Sequence, residues 1–383
     1  MALWPLPSWS PRVVIPMYES MREARIFPSA ISHNVAALHR AAGSEEAMVV
    51  VKADGYGHGI VTAARAGLDG GASWCGTADI SEALTLRDAG ITVPILAWLV
   101  GPDSPVDAAI AADVDVGVSS VEQLNQVVSA ASVRKPATIQ LKIDSGMGRG
   151  GATEAEWGHL FAEAASASNS GHVRVRGIFT HFAQTSADSD KTQATAFETA
   201  IDGVRRAGLE PEVIHSSSST PSIRTPEFAH SLVRLGVSAY GVAMVPEHRS
   251  VGLQPAMRLA GQVIQVKRLP AGHGVGYDHT YTTTTDTVTA VIPLGYADGI
   301  PRLASSVGPV SIGAQRFTIA GRVSMDQVSV DVGDAHVQRG DWAVFFGDPG
   351  NGEPSVSEWA ELASTIPYEI LTGVGSRVRR VTQ

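Results

Sequence analysis

The sequence predicts an α/β chain, a (β/α)8 TIM barrel followed by a mainly β C-terminal domain. Three observations carry this. From about residue 47 to 240, short apolar runs rich in β-branched residues alternate with longer Ala-rich stretches of helical period, the pattern of βα units around a parallel sheet. Eight such runs occur, and five end in or near polar, reactive side chains, which a barrel gathers at one mouth. Beyond about residue 245, helical spacing gives way to period-two stretches of Val and Thr separated by Gly and Pro.

In chain order the eight runs cover residues 48–52, 73–77, 94–99, 114–118, 138–143, 175–180, 212–216 and 232–237, with helical stretches such as 80–88, 121–131 and 193–207 between them. The reactive ends are Lys52, then Lys142 with Asp144, His181, the serines 216–219, and Arg234 within the last run. An open doubly wound sheet is the competing architecture, but it strings strand ends along a crevice instead of converging them. The β-rich part has candidate strands at 261–267, 284–294, 317–321, 327–332 and 342–346. The expected domains are an extended N-terminal segment over 1–20 packing on the β domain, a barrel over 21–245, and a β domain over 246–383. The first segment is apolar but lacks a basic start, and Pro5, Pro7, Pro11 and Pro16 interrupt any helical signal-peptide core.

Composition narrows the function. At 383 residues, 44% hydrophobic and 17% charged, the chain can bury a large core, and it contains no unbroken apolar run long enough for a membrane helix. A net charge of −9 lacks the basic footprint of a nucleic-acid binder, so small-molecule chemistry is the expectation. Cys75 is the only cysteine, which excludes an intrachain disulfide and a cysteine-clustered zinc site and fits a reducing, cytoplasmic setting.

Four segments carry chemistry. In Val49-Val50-Val51-Lys52-Ala53-Asp54-Gly55-Tyr56-Gly57-His58-Gly59, burial at a strand end lowers the lysine pKa and frees the amine for a Schiff base or proton abstraction. A lone strand-end lysine more often snorkels to solvent or pairs with a neighbour such as Asp54, but the glycines around Tyr56 and His58 let the backbone approach a ligand. The loop Asp144-Ser145-Gly146-Met147-Gly148-Arg149-Gly150-Gly151 formally contains GxGxxG, yet the next strand ends in Thr180-His181 instead of the acidic residue a dinucleotide site needs. It reads better as a loop presenting Arg149 to a carboxylate or phenolate, against the bland alternative of a surface arginine. The serines 216–219 before Thr220-Pro221 could bind a phosphate or merely cap a helix. His181 is a mouth residue or a satisfied core histidine. HExxH, paired CxxC, Walker and GxSxG elements are absent, and no metal is expected.

Read together, VVKADGYGHG, KIDSGMGRGG, GIFTHFA, HSSSS, SLVRLGVSAYG, VGYDHTY, PLGYADGIPR, GRVSMDQ and PYEILTGVGSRV resemble, in order, the alanine racemase family of pyridoxal-phosphate enzymes. The resemblance runs from about residue 45 to the end of the chain. It implies an isomerase that interconverts L-alanine and D-alanine through a pyridoxal 5′-phosphate external aldimine, working as a homodimer with shared sites. By it, Lys52 carries the cofactor and acts on one face of the substrate α-carbon, while Tyr277 from the other subunit acts on the opposite face. Racemisation needs this pair, because a proton removed from one face must return to the other. The resemblance further assigns Tyr56, Ser219, Gly236, Val237 and Tyr368 to the phosphate, Arg234 to the pyridine nitrogen, and His181 to contact with Tyr277. Arg149 would meet the cofactor phenolic oxygen and the substrate, and Met325 the substrate carboxylate. Lys142 matches a position carbamylated in some members.

Three positions depart from the family pattern. Ser218 stands where asparagine is usual, Ala24-Arg25-Ile26-Phe27 replaces an acidic AEID-type segment, and Arg379 replaces a proline. The alternatives left open are a racemase for serine or another amino acid, through a pocket reshaped near Tyr296 and Tyr368, and a non-catalytic pyridoxal-phosphate carrier. A related decarboxylase should show a late reactive cysteine, which this chain lacks.

Overall fold

The computed structural model describes residues 20–383. The segment expected over 1–20 therefore lies, apart from Ser20, outside the described residues. The first strand, β1 (Arg22–Ile26), precedes eight barrel strands: β2 (Glu46–Val50), β3 (Trp74–Thr77), β4 (Ile95–Ala97), β5 (Asp115–Val118), β6 (Ala137–Lys142), β7 (Val173–Phe179), β8 (Val213–His215) and β9 (Leu232–Leu235). β2 to β8 pair in sequence order, all parallel, and β9 returns beside β2. These are the eight runs read from the sequence, with ends shifted by up to two residues; β2, β6 and β7 start earlier than read and the others are trimmed. The open-sheet alternative fails at the seam: the Arg234 N–H donates to the Ser217 carbonyl at 3.1 Å, and the Ser231 hydroxyl bridges both the N–H and the carbonyl of Ile214 at 3.0 and 3.1 Å.

Strand alternation sorts the barrel residues into two layers. Val49, Cys75 and Ala97 join the large core under the helices, whereas Met48, Trp74, Leu96, Phe179, Val213 and Leu232 form a separate buried cluster inside the barrel. Helices bring small residues to the strands; Ile60–Asp69 buries Ala63, Ala64, Ala66 and Gly67. Polar start signals set several helix ends, with Asp79, Ser120 and Ser186 each accepting a first-turn backbone N–H.

The C-terminal part is mainly β, with short helices. A six-stranded sheet runs in the order Gln315–Thr318, Pro309–Ile312, Trp342–Phe346, Met257–Gln262, β1, Arg379–Thr382. β1 thus belongs to this sheet, antiparallel to Met257–Gln262 and parallel to Arg379–Thr382, although its residues fall in the segment read as barrel. The stretch read as one strand over 261–267 is two strands in different sheets. The Val263 N–H still bonds Asp341 of the six-stranded side, while the Ile264 N–H bonds Val291 of a three-stranded sheet, Gln265–Leu269, Thr287–Ile292 and Val328–Gly333.

One close contact brings the β domain to the barrel mouth. Gly57 has φ +81°, and a Cβ there would lie 2.5 Å from the Leu371 carbonyl oxygen, so the helix Pro367–Thr372 can rest on the turn that follows Lys52 only because residue 57 is glycine. Arg380 ties the same regions together by donating to the Gly57 carbonyl at 3.2 Å.

Candidate active site

The barrel mouth holds a cavity of about 450 Å³. Its lining includes Lys52, Lys142, Arg149, Arg234 and His181 together with Tyr56, Ser218, Ser219 and Tyr368, with no Asp or Glu among the lining residues. A cluster of four cations without a lining carboxylate, inside a chain of net charge −9, is built for an anion.

Lys52 lies two residues past the end of β2, at the start of the turn Lys52–Tyr56. That turn is unusual: Ala53, Asp54 and Tyr56 have φ of 53, 54 and 53°, in the left-handed region. Such strain persists only where the surroundings hold it. Glu82 does so by accepting from the N–H groups of Ala53 and Ala78, at 2.7 and 2.8 Å. Asp54 accepts the Ile60 N–H at 2.8 Å, and His58 Nδ1 donates to the carbonyls of Gly55 and Tyr56. Asp54 is therefore a helix-start residue and not the lysine's partner. Among the described residues the Lys52 amine has no ion pair or hydrogen bond; it sits 5.8 Å from the centroid of the Trp98 ring. Burial lowers its pKa, and the nearby Arg149 and Arg234 lower it further against the opposing charge of Glu82.

Arg234 is held by a chain of polar groups through the barrel. It donates to His215 Nδ1 at 2.7 Å and to the carbonyls of Thr180 and Ser216 at 2.7 and 2.8 Å. Because a guanidinium only donates, His215 must carry its proton on Nε2, which faces Gln140 Oε1 at 2.7 Å. The Gln140 amide donates to Asp115 at 2.8 Å, and Asp115 pairs with Arg176 at 2.7 Å. Burial pulls Arg234 down to about 9, so it stays charged at neutral pH. Burial and then the charge of Arg234 hold His215 well below the ordinary histidine value. His181 is pushed down to about 3, first by burial and then by Arg234, Arg149, Lys52 and Lys142. Its Nδ1 faces the Arg234 guanidinium at 3.4 Å, which leaves the ring proton on Nε2.

Arg149 sits on a loop ordered by one carboxylate oxygen of Asp144, which accepts from the N–H groups of Gly146, Met147 and Gly148 at 2.9–3.1 Å. Tyr56 packs in tilted contacts against Tyr240 and Tyr368, with ring centroids 4.8 and 6.1 Å away. Tyr240 spends its hydroxyl on the Val50 carbonyl at 2.8 Å and is structural. The Tyr56 and Tyr368 phenols, whose pKa values burial raises, remain protonated donors. At Gly236 a Cβ would come 3.0 Å from the Tyr56 oxygen, so the glycine keeps the space before that hydroxyl open.

Nine of the residues picked from the sequence therefore line one cavity: Lys52, Tyr56, Arg149, His181, Ser219, Arg234, Gly236, Val237 and Tyr368. Tyr277 and Met325 do not. They are 69% and 57% exposed on the β domain and line no part of their own chain's cavity. Sequence reasoning passed over Trp98 and Gln184. Trp98 follows β4 and was open to the same strand-end logic that found Lys52; Gln184 lies in a loop with no periodicity to mark it.

Comparison with known proteins settles the relationship. Residues 26–244 match the family profile described as alanine racemase, N-terminal domain, and residues 256–382 the profile described as alanine racemase, C-terminal domain. The chain belongs to the alanine racemase family. It is 48% identical over 358 residues to an alanine racemase of Salinispora arenicola, covering 92% of this chain and 96% of that one, and 46% identical to one of Thermobifida fusca, covering 94% and 98%. The solved alanine racemase from Streptomyces lavendulae is 42% identical and superposes with a TM-score of 0.92 over 96% of this chain and 98% of that one. The family member from Bacillus anthracis, solved with bound L-Ala-P, is 30% identical, with a TM-score of 0.87 and 96% of each chain covered.

Proposed function

We propose that the chain interconverts L-alanine and D-alanine with pyridoxal 5′-phosphate, as a homodimer whose two sites each combine a barrel from one subunit with Tyr277 from the other. The observation that carries this reading is the unpaired, desolvated Lys52 amine inside a cationic cavity. The residues present fit the cofactor. Neutral groups of Tyr56, Ser219, Gly236, Val237 and Tyr368 would surround its phosphate, and Gly236 leaves the room this needs. Arg234 would donate to the ring nitrogen and Arg149 to the phenolic oxygen. When bound, the cofactor supplies an electron sink for the electron pair left on the substrate α-carbon.

The protein's own part is proton handling. Burial and the neighbouring arginines lower the Lys52 pKa, so its amine gives up a proton more readily than an exposed lysine and can take one from the α-carbon on its face and return it. The other face needs a second base. Tyr277 becomes one only if something stabilises its phenolate, and the Nε2 proton of His181, directed away from Arg234, is suited to that. Arg234, able only to donate, would leave the cofactor's ring nitrogen unprotonated and its electron sink weaker, which would favour return of the proton over competing chemistry. Tyr277, Tyr296, Leu303 and Met325, 45–71% exposed, give the β domain the apolar surface that a second subunit would cover. No helix among the described residues is long and apolar enough to cross a membrane, and the lone buried Cys75 accords with a cytoplasmic enzyme.

A chiral assay across a panel of L-amino acids tests the reading. D-alanine should appear fastest, at least tenfold ahead of D-serine; conversion of serine or another amino acid in preference to alanine would sink the substrate assignment.

A further inference from the structure

The serine run 216–219 divides into two pairs. Ser216 and Ser217 donate their hydroxyls to the Phe228 carbonyl, at 2.5 and 3.0 Å, and are spent on the fold. Ser218 and Ser219 line the cavity instead. Ser218 precedes the helix Ser219–Arg224, the place where a serine ordinarily caps, yet its side chain makes no cap bond. Ser120, Ser186 and Ser355, in the same position of their helices, each accept a backbone N–H.

The Ser218 oxygen accepts the Gln184 side-chain N–H at 3.2 Å. Gln184, which also lines the cavity, has φ +57°. A non-glycine residue in that left-handed region is strained and is held there by its surroundings. Ser219 is arranged in parallel, its oxygen accepting the Gly236 N–H at 3.1 Å. In both serines the oxygen already serves as acceptor, so the hydroxyl proton remains to be donated, and the cavity lies beside it. The surrounding polar groups on this wall, Tyr56, Thr220 and Tyr368, are neutral donors of the same kind.

We propose that Ser218 is a further phosphate-binding residue, and that Gln184 is a positioning residue that aims its hydroxyl into the cavity. The proposal rests on the pyridoxal-phosphate reading and adds a donor to it. Gln184 acts through Ser218 alone, by occupying the acceptor side of the hydroxyl oxygen.

The test measures binding of pyridoxal 5′-phosphate and of pyridoxal, which lacks the phosphate, to cofactor-stripped full-length protein. Ser218→Ala should weaken pyridoxal 5′-phosphate about tenfold, the value of one hydrogen bond to a charged group, and leave pyridoxal unchanged. Ser218→Thr, which keeps a hydroxyl, should bind like the parent. Gln184→Ala should weaken the phosphate form about threefold alone and add nothing to Ser218→Ala. Equal weakening of both ligands, or none, would overturn the assignment of Ser218, and additive losses would overturn the positioning role of Gln184. Failure of the unmodified protein to bind pyridoxal 5′-phosphate, or borohydride fixation at a lysine other than Lys52, would instead bring down the cofactor reading and this proposal with it.

Discussion

Lys52 shows how far single residues could be read. Its strand-end position and glycine-rich surroundings marked it in the sequence, and the structure adds what pattern alone could not. The neighbouring Asp54 is engaged by Ile60, and three left-handed residues hold the turn open. Arg234 was legible as a mouth residue, but its support was not, because Asp115, Gln140 and His215 come from three strands and meet only when the barrel closes. Tautomers and neutral histidines are likewise tertiary properties. They carry a consequence for pH: His58 is pushed from 6.5 down to about 4, chiefly by burial. Its folded pKa lies below its unfolded one, so between these values the unfolded chain binds the extra proton. Stability is then complete above about pH 6.5 and falls as pH drops toward 4. From pH 7 to pH 5 this residue should cost about 2 kcal/mol. Urea unfolding at the two pH values should register the loss, and His58→Gln, which cannot titrate, should show a smaller difference; an unchanged difference would contradict the neutral assignment.

At the scale of elements, the barrel strands were the most readable part, since a buried parallel strand announces itself as a compact apolar run between helical stretches. The β domain was less so. Its sheet takes β1 from the start of the described chain and Arg379–Thr382 from the end, and sequence periodicity says nothing about partners so far apart. The break of 261–267 into two strands was hidden for a related reason: Val263 and Ile264 keep an apolar pattern while their backbone bonds pass from one sheet to another. The seam between β8 and β9 has its own weak point. Ser231 supplies two of its hydrogen bonds, so Ser231→Ala should lower unfolding free energy by about 1–3 kcal/mol, leaving Ile214 short of partners. Denaturant titration checks this. Because β8 leads into the serine wall and β9 carries Arg234, cofactor affinity should fall together with stability.

The whole molecule explains why one chain looks incomplete. Its cavity gathers Lys52, the proposed phosphate donors and the arginines, but not Tyr277, the proposed second base. Tyr277 and Met325, picked from the same sequence resemblance, stand exposed on the β domain. A racemase needs bases on both faces of one carbon, and two copies arranged with each β domain over the other's barrel would supply them. Such an arrangement is tested by mixing two inactive proteins, Lys52→Ala and Tyr277→Phe, under conditions that allow subunit exchange. Each mixed dimer would hold one site with both substitutions and one with neither. Random exchange at equal concentrations should therefore restore about a quarter of the unmodified protein's alanine racemisation, from half the dimers with one good site each. Confirmed mixed dimers that remain inactive would contradict the shared site, and with it the pairing of Lys52 and Tyr277 across subunits.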